Sequence, residues 1–315
     1  MMKYIKHIAL ALVMITVIPL VCTVAARSIS EKALTAGRAV SSAARRSAGG
    51  GEGAVMPRIS ADTLSASKEK RLIYLVDLVS RRDCSLHLLM LVSLDRSGAS
   101  PCALHIPTDS IICPEGECCL LCDYFAESIS EKKQQGAKDK EAVKYADRKL
   151  SSYFEGSLNM SIDGCLSLYT EGLGSIVDQL GRVEFKADRD TCLLCSDGSR
   201  LTLKKGYNRI SGKDVTTIME NRDGSGKYEK KLLFALGKRV KKGMYLPDII
   251  RITRVLSKEL ITDLSIPDLV TALSASSASA SEKLITVEAT GERDKKTGGV
   301  YLNEEELMNT VRRSF

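Results

Sequence analysis

Residues Arg71–Ser110, RLIYLVDLVSRRDCSLHLLMLVSLDRSGASPCALHIPTDS, decide the fold. Leu72 to Val79, Ser85 to Leu94 and Cys102 to Ile106 are apolar runs of strand length, and each is predicted to be a β-strand. Arg81-Arg82-Asp83 and Arg96-Ser97-Gly98 supply the turns between them. Asp77, Asp83 and Asp109 therefore fall at strand ends or in the adjoining loops. In open α/β sheets, that is where carboxylates meet hard cations and phosphates.

Two further segments extend the pattern. Leu168–Phe185, LYTEGLGSIVDQLGRVEF, reads as a helix that ends at Gly181 and a strand that starts at Val183. Leu201–Lys242, LTLKKGYNRISGKDVTTIMENRDGSGKYEKKLLFALGKRVKK, reads as strand, turn, helix, glycine-rich loop and helix. Lys205-Gly206 breaks its strand, and Ser211 with Asp214 forms a predicted capping box. The second helix would carry Leu232, Leu233, Leu236 and Val240 on one stripe. This stretch holds twelve Lys/Arg against four Asp/Glu. Cations at a loop and at the first turn of the next helix make either an anion site or a solvated basic face.

Ile8 to Ala26 are 19 consecutive uncharged, mostly apolar residues behind Lys3 and Lys6. A bilayer needs roughly 17–25 such residues, and the cationic flank places the N-terminus in the cytoplasm and the rest outside. Val24-Ala25-Ala26 would also suit signal cleavage, and an uncleaved anchor is the preferred reading. From residue 27 to 70 the chain is rich in Ala, Ser and Gly, including Ser47-Ala48-Gly49-Gly50-Gly51, and reads as a flexible tether. Residues 71–315 suit one α/β domain, and the Ser/Ala run from Ser274 to Ser281 reads as a loop within it. The net charge of +7 meets lipid phosphates and envelope polymers if the chain is exported. Nothing in the motifs points to nucleic acid.

Of ten cysteines, Cys22 lies in the apolar segment and nine follow it. Cys119-Leu-Leu-Cys122 and Cys192-Leu-Leu-Cys195 have the spacing of a four-thiolate zinc site, a redox pair or structural disulfides. Structural thiols or disulfides are preferred for an exported chain. His87 and His105 lie in apolar strand contexts and are expected in the core.

Taken in order, these segments resemble the LytR–CpsA–Psr family of membrane-anchored envelope proteins. Arg82-Asp83-Cys84 is similar to the family's Arg-x-Asp element shortened by one position, and Ile106-Pro107-Thr108-Asp109-Ser110 to its Ile-Pro-Arg-Asp-Thr motif. Val177, Asp178, Leu180, Gly181 and Val183 keep the register of its Val-Asp…Leu-Gly-Gly-Val segment. Lys205-Gly206…Ile210-Ser211-Gly212 resembles its strand-to-helix turn, and Asn221-Arg222 through Lys230-Lys231 its Arg-x-Arg…Gly-Arg-x-x-Arg-Gln stretch. Ile261 to Ser265 and Gly299 to Leu307 resemble its closing segments, so the likeness spans roughly residues 71 to 315.

The resemblance implies a three-layer α/β/α sandwich with a mixed central sheet behind an N-terminal membrane anchor. It also implies a phosphotransferase that moves a polyprenyl-pyrophosphate-linked glycan onto peptidoglycan or another envelope acceptor. Phosphoryl transfer requires cations that position phosphate and neutralise developing charge. On this mapping Asp77 and Asp83 would hold Mg²⁺. Arg82, Arg222, Lys227, Lys230 and Lys231 would contact phosphate, with Asp83, Arg82 and Arg222 catalytic. Asp83 and Arg222 would then lie close together. Thr108 stands where the family has arginine, and Glu220 falls near the first arginine of Arg-x-Arg. These departures leave open a family member that binds polyprenyl phosphate lipids as an envelope scaffold without turnover. On the topology read here, reporter fusions made after residue 70 should be active only outside the cytoplasm; activity inside would reject it.

Overall fold

The computed structural model describes residues 71–95, 100–194, 198, 200–221, 228, 231–232, 235–236, 239, 246–265, 267–269, 271–272, 275, 285–295 and 297–314. Among these, no helix is long and apolar enough to cross a membrane. The segment Ile8–Ala26 and the tether lie outside the described residues.

Six strands form the main sheet: β1 (Arg71–Val79), β2 (Leu86–Asp95), β3 (Cys102–Ile106), β6 (Gly164–Tyr169), β11 (Leu260–Thr262) and β12 (Ile285–Glu288). Their spatial order is β11-β6-β1-β2-β3-β12. The sheet is mixed, because β1 pairs antiparallel with β2 but parallel with β6, and β3 pairs parallel with β12. The predicted strands of Arg71–Ser110 are these first three, and every residue of β2 is buried.

Alternation along β1 divides the core. Leu72, Tyr74 and Leu78 face one layer, with α3 (Thr170–Gln179), α4 (Gly212–Glu220) and α5 (Leu246–Glu259). Ile73, Leu75 and Val79 face the other, with α1 (Leu121–Gln134), α2 (Asp139–Leu158) and α6 (Glu304–Ser314). A strand with period two that is apolar on both faces demands such covering layers.

Local signals act as the sequence predicts. Ser211 N–H and its hydroxyl both donate to the Asp214 carboxylate, at 2.7 and 2.8 Å, and start α4. Beyond α3 the chain turns through Gly181 and Arg182, both at positive φ. Gly174 and Gly212 let α3 and α4 touch backbone to backbone: a Cβ on Gly212 would sit 2.3 Å from the Gly174 carbonyl oxygen. Between these helices, β7 (Val183–Ala187), β8 (Thr191–Leu194), β9 (Arg200–Leu203) and β10 (Gly206–Ile210) make one long bent hairpin. Its bend is fastened where Lys205 N–H donates to Asp190 at 2.7 Å. A smaller sheet, β13 (Gly291–Arg293), β14 (Val300–Leu302), β4 (Ser110–Ile112) and β5 (Cys119–Leu120), carries the chain from β3 into α1.

One polar cluster interrupts the core beneath α2. The Ser167 hydroxyl on β6 lies 2.5 Å from Asp147 Oδ2 on α2 and 3.1 Å from Asp77 Oδ2 on β1. Both carboxyls are buried, and Oδ1 of each has no hydrogen-bond partner. A serine hydroxyl has one proton to donate, so it satisfies one carboxylate and the other must bring a proton. Burial, then the neighbouring Asp147 charge, raises the Asp77 pKa well above the usual carboxylate range. Burial likewise raises Asp147, to about 7. A carboxyl with a raised folded-state pKa keeps its proton while the unfolded chain gives one up. Stability therefore falls as pH rises from about 4 through about 7. Asp147→Asn supplies a neutral donor, so it should raise stability at pH 8 by about 1–3 kcal/mol and flatten the slope between pH 4 and 7. Urea melts across that range would reject this account if the slope survives the substitution.

Candidate functional site

Parallel pairing sets Val79 beside Tyr169, so the chain leaves β1 and β6 at the same edge of the sheet. After β1 it turns through Ser80 to Ser85, closed by Ser80 N–H to the Ser85 carbonyl at 2.9 Å and Cys84 N–H to the Ser80 carbonyl at 3.0 Å. Cys84 takes φ 58, a left-handed conformation unusual for a residue with a Cβ. The turn points Asp83 to solvent. Partial burial works against its ionisation, but donors from Ser80 and Ser85 prevail and hold its pKa at about 2. Asp83 is thus a standing negative charge and a poor proton acceptor at neutral pH.

Cations gather around this turn. The Arg81 guanidinium lies 4.4 Å from the centre of the Tyr169 ring and hydrogen-bonds Glu259 at the end of α5. Glu259 reaches it because Gly172 on α3 leaves room: a Cβ there would lie 2.5 Å from the Glu259 Cβ. Lys140 on α2 donates to the Lys258 carbonyl at 2.5 Å and so ties the same end of α5 to the opposite layer. Lys133, in the last turn of α1, donates to Cys84 Sγ at 3.3 Å and pairs with Asp139 at 2.9 Å.

Arg82, expected to grip phosphate, is exposed. The arginine built into the network is Arg81, and Arg81-Arg82-Asp83 carries the unshortened Arg-x-Asp spacing. Asp77 and Asp83 have different surroundings, since Asp77 is enclosed with Ser167 and Asp147 while Asp83 faces solvent. Magnesium is commonly bound through one or two carboxylates, several waters and substrate phosphates. Asp83 fits an ion of that kind, and Asp77 does so less well while its oxygens stay beneath α2. Among the described residues, no group of three or more His, Cys, Asp or Glu is placed to hold a metal.

Lys231, another expected phosphate contact, is buried and paired with Asp188 at 2.6 Å. Arg222, Lys227 and Lys230 lie outside the described residues, so the expected closeness of Asp83 and Arg222 does too. Asp109, after Thr108, pairs with Arg293 at 2.9 Å in the smaller sheet, and Glu220 ends α4. His87 and His105 are buried in β2 and β3, as expected of core histidines.

Cys113 and Cys118 form a disulfide across the turn before β5. Cys119 and Cys122 are not joined to each other by a disulfide. Cys192 is free and exposed, and Cys195 lies outside the described residues.

No protein-family model matches the chain, and no curated protein aligns with it in sequence. Solved structures do share its fold. Bacillus subtilis TagV is 18% identical, with 78% of this chain and 98% of that one covered at a TM-score of 0.57. Protein gbs0355 from Streptococcus agalactiae is 14% identical over 81% of this chain and 90% of its own, at 0.58. TagT of Bacillus subtilis, solved bound to LI-WTA, is 15% identical over 78% and 89%, at 0.50. These likenesses establish the fold, and they agree with the resemblance to the LytR–CpsA–Psr family read from motif order.

The two arginines of the turn should separate cleanly. Arg81→Ala removes a ring contact and an ion pair, each partly solvent-screened, and should cost roughly 1 kcal/mol. Arg82→Ala should leave the urea midpoint where it is. Equal losses for both would show that the network around Arg81 contributes nothing.

Proposed function

We propose that this chain is a membrane-anchored, extracytoplasmic phosphotransferase that acts on a polyprenyl-pyrophosphate-linked glycan. The observation that carries the reading is the meeting of Asp83 with Arg81, Arg82 and Lys133 at one edge of the sheet. The fold shared with TagT, solved bound to LI-WTA, supports the substrate class.

In this reading a hydroxyl of peptidoglycan or another envelope acceptor attacks the phosphorus that bears the glycan. The new bond joins acceptor oxygen to phosphorus, and the bridging P–O bond breaks. Polyprenyl phosphate leaves, and the hydroxyl proton passes to solvent. Asp83, ionised and weakly basic, holds positive charge against the phosphates and does not take that proton. Magnesium held at Asp83 would neutralise charge on the phosphate oxygens. Arg81 is pre-set by the Tyr169 ring and Glu259, so its ordering cost is met by the fold before substrate arrives. Arg82, facing solvent, is free to turn toward a bound phosphate, and Arg222, Lys227 and Lys230, which follow α4 in sequence, would add charge.

The fate of Lys231 favours a second reading. One cation of the expected phosphate set is spent on Asp188, and Thr108 and Glu220 replace or oppose others. Such a site suits a scaffold that binds polyprenyl phosphates and does not turn over.

The full chain, in detergent with a polyprenyl-pyrophosphate glycan and peptidoglycan fragments, separates the two. A transferase releases polyprenyl phosphate, and Asp83→Ala should lower that rate at least a hundredfold while lipid binding persists. Binding without release across several acceptors would establish the scaffold. Absence of binding would reject both.

A further inference from the structure

The bent hairpin of β7 to β10 turns one face to the core and the other to solvent. Phe185, Ala187, Leu193 and Leu203 are buried in the same core layer, so both halves of the hairpin present their inner side to it. Alternation then sends Glu184, Lys186, Leu194, Arg200, Tyr207 and Arg209 outward, and all six are exposed. The antiparallel register sets Lys186 beside Tyr207, Glu184 beside Arg209 and Leu194 beside Arg200.

Two features of this face go together. Among the described residues three large apolar side chains are exposed, and two of them are here: Tyr207 at 67% and Leu194 at 60%. Each has a cation next to it. The Lys186 ammonium lies 5.8 Å from the centre of the Tyr207 ring, and Arg200 is the cross-strand neighbour of Leu194. The carboxylates at the bend are engaged within the chain. Asp188 pairs with the buried Lys231 at 2.6 Å, and Asp190 accepts from the Lys205 N–H at 2.7 Å and pairs with Lys204 at 3.4 Å. Among the described strand residues of the hairpin, Glu184 is the one outward carboxylate.

We propose that this face docks on the headgroup region of an anionic lipid bilayer. Lysine and arginine are attracted to such a surface. A tyrosine suits the interface because its ring can be buried while its hydroxyl stays wet. Leu194 decides between a bilayer and a soluble polyanion. Acyl chains remove its apolar area from water, whereas the phosphates and sugars of a polymer offer an aliphatic side chain little. The docking does not depend on the transferase reading. For a domain held by an anchor and a tether, it would fix which face turns to the membrane.

The chain contains no tryptophan, so Tyr207→Trp places a single emitter on this face. The full chain carrying it is reconstituted in phosphatidylcholine vesicles with or without phosphatidylglycerol. With phosphatidylglycerol the emission should shift to the blue and be quenched by lipids brominated in the acyl chains, and added salt should reverse both changes. In the same background Arg200→Ala and Arg209→Ala should each lower the ratio of docked to undocked hairpin about fivefold, and Leu194→Ala should lower it too. Solvent-like emission in both kinds of vesicle overturns the proposal, as does quenching that ignores both arginine substitutions. A blue shift produced by soluble poly(glycerol phosphate), without quenching by brominated lipid, assigns the face to an envelope polymer. A shift that grows with protein concentration in lipid-free detergent assigns it to a second copy of the chain. Either result overturns docking on a bilayer.

Discussion

The parallel pairing of β1 with β6 is the constraint on which the rest of the molecule depends. It matches Tyr74 with Gly164 through to Val79 with Tyr169, and so fixes two chain exits side by side at one edge. Parallel neighbours cannot be joined by a tight turn, so β2 to β5, α1 and α2 must all be completed between them. The apolar face of α1 and α2 supplies the reward, through Phe125, Ile129, Leu150 and Phe154 against Leu75, Val79 and Leu89. With that layer in place, the β1 turn, the end of α1 and the start of α3 converge. The site follows from the topology.

What was legible in the sequence was local. Apolar runs bounded by polar turns gave β1, β2 and β3. Ser211 with Asp214 gave the start of α4, and Gly181 gave the end of α3, because caps and left-handed turns require particular side chains at particular offsets. The order of such signals was also enough to expose the family likeness. Partners distant in sequence were not legible. Asp77 reads as a strand-end carboxylate, and only the packing of α2 reveals Asp147 and Ser167 beside it. Lys133 lies in a helix with other lysines, and nothing in its neighbourhood marks it as the one that reaches Cys84. Arg81 is the exception, since its Arg-x-Asp spacing from Asp83 is visible in the sequence beside Arg82.

The cysteines show the same limit. Two C-x-x-C pairs stand out by spacing, yet among the described residues the disulfide joins Cys113 to Cys118, across a turn that contains Glu115 and Gly116 at positive φ. A turn brings its ends together, whereas Cys119 opens strand β5 and Cys122 lies in the first turn of α1, which directs their side chains by the geometry of each element. Burial and nearby carboxylates raise the Cys119 pKa and suppress its thiolate. A spacing that matches a motif is therefore weak evidence when the backbone between the cysteines changes element.

Two carboxylates six residues apart on the same strand and turn illustrate how environment divides roles. Asp83 accepts from Ser80 and Ser85 and stays ionised, whereas Asp77 shares one hydroxyl with another carboxyl and keeps a proton in the cluster. The difference arises from donors: the Ser80–Ser85 turn offers more than one to Asp83, and the core offers one to two acids. A standing charge at the sheet edge can attract cations and steer phosphates. A proton-sharing pair beneath α2 can only report whether that helix is docked. Because α2 also carries Asp139 and Lys140, which fasten Lys133 and the end of α5, seating of this helix and the charge at the sheet edge are coupled through one rigid element.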